Sequence, residues 1–124
     1  MDFFLIDKDE FSLNGMNVKL GKRIVRYEVF DKYDIVVLLV SNTDDWEKAD
    51  EIIAIKHIDH NYQTIWIYQR KDTVGQTFSI YTIWSVKQKD DERIACFINS
   101  LGFYDETNII DVETGEIIDT QLSK

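Results

Sequence analysis

Ile35-Val36-Val37-Leu38-Leu39-Val40 is apolar at six consecutive positions. Side chains alternate between the two faces of a sheet, so the run is apolar on both faces and reads as a central strand. It is the longest apolar run in the chain and is far too short to span a membrane.

Working outward, further strands are predicted near Phe3–Ile6, Asn17–Leu20, Arg23–Phe30, Ile35–Ser41, Glu51–Ile58, Tyr62–Gln69, Thr77–Val86, Arg93–Ile98, Phe103–Val112 and Glu116–Asp119. Ile, Val, Thr and the aromatics supply 50 of 124 residues, against 12 for Ala, Leu and Met together. That balance suits pleated surfaces rather than helices. Proline, which interrupts ladders, is absent. The breaks at Asp31–Asp34, Asp59-His60-Asn61, Lys71–Gln76 and Thr114-Gly115 are short, as hairpins require, so the sheet should be mainly antiparallel. All five glycines read as turn residues.

Two segments are ambiguous. Asp44–Ala49 could form one helical turn capped by Thr43 or Asp44. Asp90–Leu101 carries Ile94, Phe97, Ile98 and Leu101 at helical spacing, ahead of Gly102. The reading kept for it is strand, a turn at Asn99–Gly102, then strand. The expectation is a single domain over residues 1–124, all-β or β-rich α+β. Its form should be an antiparallel β-sandwich or strongly curved sheet with at most one or two short helices.

The formal net charge is -9, and it is unevenly placed. Residues 44–51 hold five acids and one base, and residues 90–124 hold nine acids and two bases. Residues 52–89 hold two acids and five bases. Such a balance favours cationic partners and disfavours nucleic acid. The first residues lack a basic segment followed by an apolar stretch, so no signal peptide is expected. The lone cysteine, Cys96, allows no intrachain disulfide. A soluble cytoplasmic protein is the expectation, with no membrane partner.

No set of residues declares a chemistry. The glycine-rich nucleotide loops and the Gly-x-Ser-x-Gly elbow are missing. His57 and His60 flank Asp59 at a strand end. Three residues apart on a strand they face opposite ways, so shared ligation of a metal, with or without Cys96, is not expected. Asp7-Lys8-Asp9-Glu10 lacks the glycine turn of a calcium loop. A carboxylate pair could serve a hydrolase only if two acids converged across a cleft, and nothing in the spacing implies it. The chain is therefore read as a non-enzyme needing no cofactor.

Trp46 is ringed by carboxylates. It could anchor a basic partner, or it could fold back over the sheet as a loop plug. Trp66 and Trp84 lie within strands and are expected in the core. An alternative function, a small-ligand module, would place Tyr62, Trp66, Tyr81 and Trp84 around a cavity.

Val29–Leu39, then Glu51–Ile55 leading to Thr64–Tyr68, then Asn108-Ile109-Ile110-Asp111-Val112-Glu113-Thr114-Gly115-Glu116-Ile117-Ile118 follow an order that resembles a group of small all-β bacterial proteins. Their strand pairs resemble single blades of quinoprotein-like propellers and end in an Asp-x-x-Thr-Gly-x-Ile hairpin. In type, a small, acidic, motif-poor chain also resembles the immunity proteins of toxin systems, including contact-dependent growth inhibition. That resemblance implies stoichiometric binding to a cognate toxin domain, often a basic nuclease, and occlusion of its active site. Two partner-binding patches are expected: Asp44, Asp45, Trp46, Glu47, Asp50 and Glu51, and then Asp90, Asp91, Glu92, Asp105 and Glu106. The chain itself should be a monomer or a weak homodimer.

Overall fold

The computed structural model describes residues 1–43, 45, 49–68, 82–100 and 104–123. Among these described residues, eleven strands form three antiparallel sheets, each built from strands consecutive in sequence. The first sheet contains β1 (Phe3–Asp7), β2 (Glu10–Leu13) and β3 (Met16–Lys19). The second is the meander β4 (Arg23–Phe30), β5 (Ile35–Ser41), β6 (Glu51–Ile58) and β7 (Asn61–Tyr68). The third is β8 (Thr82–Gln88), β9 (Arg93–Ser100), β10 (Tyr104–Asp111) and β11 (Ile117–Ser123). One 3-10 turn, Asp31–Tyr33, joins β4 to β5.

The all-β expectation holds, but the sheets stack three deep rather than two. The reason is β5. All seven of its residues are buried. Ile35, Val37 and Leu39 pack in one core with Ile83, Ile94, Cys96, Ile98 and Ile110 of the third sheet. Val36, Leu38 and Val40 pack in a second core with Phe11, Leu13 and Val18 of the first sheet. Strand β6 repeats the split, with Ile52 and Ala54 on one side and Ile53 and Ile55 on the other. Each fully buried aliphatic side chain of this kind contributes about 1.5–3 kcal/mol.

Local chemistry sets the turns. Asp59 and His60 both have positive φ, 47° and 64°, between the paired residues Ile58 and Asn61. That is a two-residue turn with the twist antiparallel strands prefer. Asp34 closes the 3-10 turn at φ 55°, a left-handed conformation aspartate tolerates. In the β10–β11 hairpin, Asp111 Oδ1 accepts from the backbone N–H groups of Glu113 and Thr114, both at 3.0 Å, and from the Thr114 hydroxyl. Gly115 follows at φ 76°, and the Trp66 indole lies against it. Trp66 Nε1 donates to the Val112 carbonyl at 2.7 Å, fastening this hairpin to β7.

Several expectations change. The segment from Arg93 is a strand, as kept above, with Ile94, Cys96 and Ile98 alternating into the core. Strand β2 was not expected. Strand β8 begins at Thr82, and residues 77–81, including Tyr81, lie outside the described residues. So do Gly75, Gly102 and most of the ambiguous Asp44–Ala49 segment. Trp66 is partly buried against the core, but Trp84 is 53% exposed and stacks on Phe97 with ring centroids 5.1 Å apart. The bulge between Ile83 and Ser85 lets Ile83 and Val86 both face inward, which leaves Trp84 facing outward. Among the described residues, no helix is long and apolar enough to cross a membrane.

Candidate functional site

Meanders return alternate turns to one end of a sheet. In the second sheet those turns are Asp31–Asp34 and Asp59–His60. In the third they are residues 89–92 and 112–116. Lys32 Nζ donates to Glu92 Oε1 at 2.8 Å, and the Tyr33 hydroxyl donates to the same oxygen at 3.2 Å. These bonds hold the four turns on one side of the molecule. The Met1 ammonium pairs with Asp31 at 2.8 Å, bringing the first sheet to the same end.

The turn chemistry makes this end acidic. Aspartate suits tight turns because its side chain bonds nearby backbone N–H groups and tolerates positive φ. Asp90 accepts from the Glu92 N–H at 2.9 Å and from Arg93 through Nε at 2.9 Å and Nη2 at 2.7 Å. These bonds, the backbone N–H first, hold its carboxyl below the ordinary range. Glu92 is held low chiefly by its bond to Lys32, whose ammonium is correspondingly held high by Glu92. The Tyr33 phenol is held high, first by desolvation, with the charges of Glu92 and Glu113 adding to it. Asp91, Glu113 and Glu116 are exposed around this group. An open depression of about 300 Å³ is lined by Lys32, Asp90, Asp91 and Glu92.

The structure divides the two expected patches. Asp44, Trp46 and Glu47 lie outside the described residues. Asp45 is half-buried. Asp50 accepts from the backbone N–H and side-chain amide of Asn42, at 3.2 and 2.9 Å. Glu51 is only 3% exposed and forms an ion pair with Lys22 at 2.6 Å, so it serves the interior. In the second patch, Asp90, Asp91 and Glu92 stand together. Asp105 pairs with Asn99 and Asp111 with Arg93, so Asp105 lies at the other end of the sheet. Six residues of strand separate the two ends, roughly 20 Å. Glu106 is half-buried and accepts from the Asn108 amide at 3.0 Å.

The residues of the alternative readings are also apart. Cys96 is buried in the core between the second and third sheets, and its thiol is pushed up by burial first and by Glu106 second. His57 pairs with Tyr62 near the β6–β7 turn, and His60 sits in the turn itself. Among the described residues, no three His, Cys, Asp or Glu side chains are grouped to hold a metal ion. Asp90 and Glu92 are each engaged by a cation and held low, the opposite of what a general acid requires. Tyr62 pairs with His57, Trp66 packs on the β10–β11 turn, and Trp84 lies on the outer face of the third sheet, so these aromatics line no common cavity.

Glu113 and Glu116 were not singled out from the sequence. The signal was present in the Asp111–Gly115 turn pattern, which places both on an exposed hairpin tip. No protein-family model, no curated protein and no solved structure matches this chain.

Proposed function

We propose that this chain is a protein-binding module whose acidic turn end engages a basic partner. In its specific form it is an immunity protein that neutralises a cognate toxin domain, such as a basic nuclease, by covering its active site. The observation that carries the reading is the gathering of Asp91, Glu92, Glu113 and Glu116 at one end of a scaffold tied by the Lys32–Glu92 and Asp90–Arg93 bridges. The carboxylates stand on turns whose backbones are tied in place before encounter. They would steer a cationic partner and pair with its lysines and arginines without a large ordering cost. Asp90, Asp91 and Glu92 are retained from the expected second patch, Asp105 and Glu106 play no part, and the first patch is secondary.

The test uses the protein encoded beside this gene, if it carries a basic C-terminal domain. Reversing Asp91, Glu113 and Glu116 together to lysine should lower its association rate by about tenfold or more at low salt and flatten the salt dependence. Reversing Asp105 should change neither. An unchanged rate in the triple variant, or loss of binding only with Asp105→Lys, would refute the assignment of this end.

A further inference from the structure

Asn14-Gly15 forms the two-residue turn between β2 and β3, whose paired ends are Leu13 and Met16. Both turn residues are exposed, with φ 49° and 82°, and a Cβ at Gly15 would meet nothing within 4 Å. Asn14 is also the clasp of β1. Its backbone N–H donates to the Asp2 carbonyl at 2.7 Å, and its side-chain Oδ1 accepts from the Asp2 N–H at 2.8 Å. It is the one asparagine followed by glycine; Asn17, Asn42, Asn61, Asn99 and Asn108 precede Val, Thr, Tyr, Ser and Ile. A side chain on the following residue crowds approach to the amide carbon, and a glycine does not. Two of the others are further restrained. Asn61 Oδ1 already holds the Tyr62 N–H at 2.9 Å, and the buried Asn108 amide is bonded to Tyr68, Glu106 and Thr120.

We infer that Asn14 is a site of self-modification, at which the Gly15 backbone nitrogen attacks the Asn14 side chain and the amide is exchanged for a carboxylate. Hydroxide takes the Gly15 amide proton, and the nitrogen forms a bond to Asn14 Cγ. The Cγ–Nδ2 bond then breaks, and the amino group leaves as ammonia with a proton from water. The product is a five-membered imide, which water opens at one of its two carbonyl carbons. Opening at Cγ leaves aspartate with the main chain unchanged. Opening at the main-chain carbon leaves isoaspartate, whose main chain runs through Cβ and Cγ and is one methylene longer. Water is consumed, ammonia is released, and no oxidant or reductant takes part.

The fold gates this step. A two-residue turn with both φ positive is type I′, the mirror image of type I, with ψ about +30° at its first central residue. That torsion puts the Gly15 nitrogen on the far side of the Cα–C bond from the Asn14 side chain, and the Asp2 N–H holds Oδ1 as well. Ring closure therefore waits until the turn opens. Opening is local, because β1 is an edge strand with β2 as its sole ladder partner among the described residues, and Phe4, Leu5 and Ile6 are exposed along it. Once formed, isoaspartate does not refit. The extra methylene breaks the match between Leu13 and Met16 that a two-residue turn sets. The Asp2 clasp goes with it, and so does the placement of Phe3 against Phe11 and Tyr27, at centroid distances of 5.3 and 4.7 Å. The second and third sheets carry no part of this turn. The change is a one-way release of the first sheet.

The test incubates the full chain at mildly alkaline pH, folded and in parallel in urea above its unfolding transition, and maps peptides by mass spectrometry over days. In the folded chain Asn14 should lose its amide ahead of every other asparagine, with isoaspartate among the products. Unfolding in urea should speed that loss by about ten- to a hundredfold, the factor set by local opening. Gly15→Ala should slow it severalfold in urea, where the turn is absent and crowding alone acts. Hydrogen exchange of the modified chain should show lost protection over residues 3–19 and retained protection over Ile35–Ser41. An Asn14 amide that outlasts those of the other asparagines overturns the inference. Equal rates in the folded and unfolded chain overturn the gate, and protection lost evenly over all three sheets overturns the release.

Discussion

Gly115→Ala would place a methyl group 2.6 Å from Trp66 Cγ, 2.8 Å from Cδ2 and 2.9 Å from Cβ. No unbonded carbon sits that close, so the indole must move. Two costs combine. An L-residue at φ 76° costs about 1–2 kcal/mol in backbone strain. Displacing the indole endangers the Trp66–Val112 bond, worth about 0.5–1.5 kcal/mol, along with packing against the core. The expected total is about 2–4 kcal/mol. Gly15 is the control: its φ is 82°, yet a Cβ there meets nothing within 4 Å. Gly15→Ala should cost only the backbone share, about 1–2 kcal/mol. Urea unfolding followed by circular dichroism measures both. A double-mutant cycle adds Trp66→Ala, which removes the two nearest contacts, and on that background Gly115→Ala should cost measurably less. If Gly115→Ala and Gly15→Ala agree within about 0.5 kcal/mol, or if the cycle shows no coupling, the steric reasoning fails.

Two further predictions concern charge. The Lys22–Glu51 and Lys32–Glu92 bridges have similar lengths, 2.6 and 2.8 Å, but Glu51 is buried and Glu92 is exposed. Lys22→Met should therefore cost about 2–3 kcal/mol in urea unfolding and Lys32→Met clearly less; equal costs would show that burial does not govern them. Asp90 and Glu92 are held below the ordinary range in the folded chain, so their contribution is complete above their unfolded values, near pH 4, and is lost as pH falls through the lower folded values. The double variant Asp90→Asn, Glu92→Gln should show a shallower loss of thermal stability below about pH 4, and an acid limb as steep as the parent's would contradict the assignment.

The strands were legible where burial enforces a period. Ile35–Ser41 and Arg23–Phe30 fall where the pattern puts them. Arg93–Ser100 was ambiguous because Ile94, Phe97 and Ile98 also fit a helix. The structure uses period two, with Ile94, Cys96 and Ile98 inward and Phe97 outward against Trp84. Strand β2 escaped notice because Phe11-Ser12-Leu13 is short, although Asn14-Gly15 after it is a strong hairpin signal. The carboxylates were least legible. Whether an acid faces solvent or a lysine depends on chain distant in sequence: Glu51 finds Lys22 and Glu92 finds Lys32 across separations of 29 and 60 residues. Residue type and local spacing carry no trace of such partners.

Among the described residues, every ladder joins strands adjacent in sequence. Each layer can therefore zip up from its own hairpins, closing only short loops, before the layers meet face to face. Loop closure for distant strands is what slows many β proteins, and this connectivity avoids most of it. Assembly by docking of preformed layers also spares the chain any threading step, so β5 need only be covered, first on one side and then on the other.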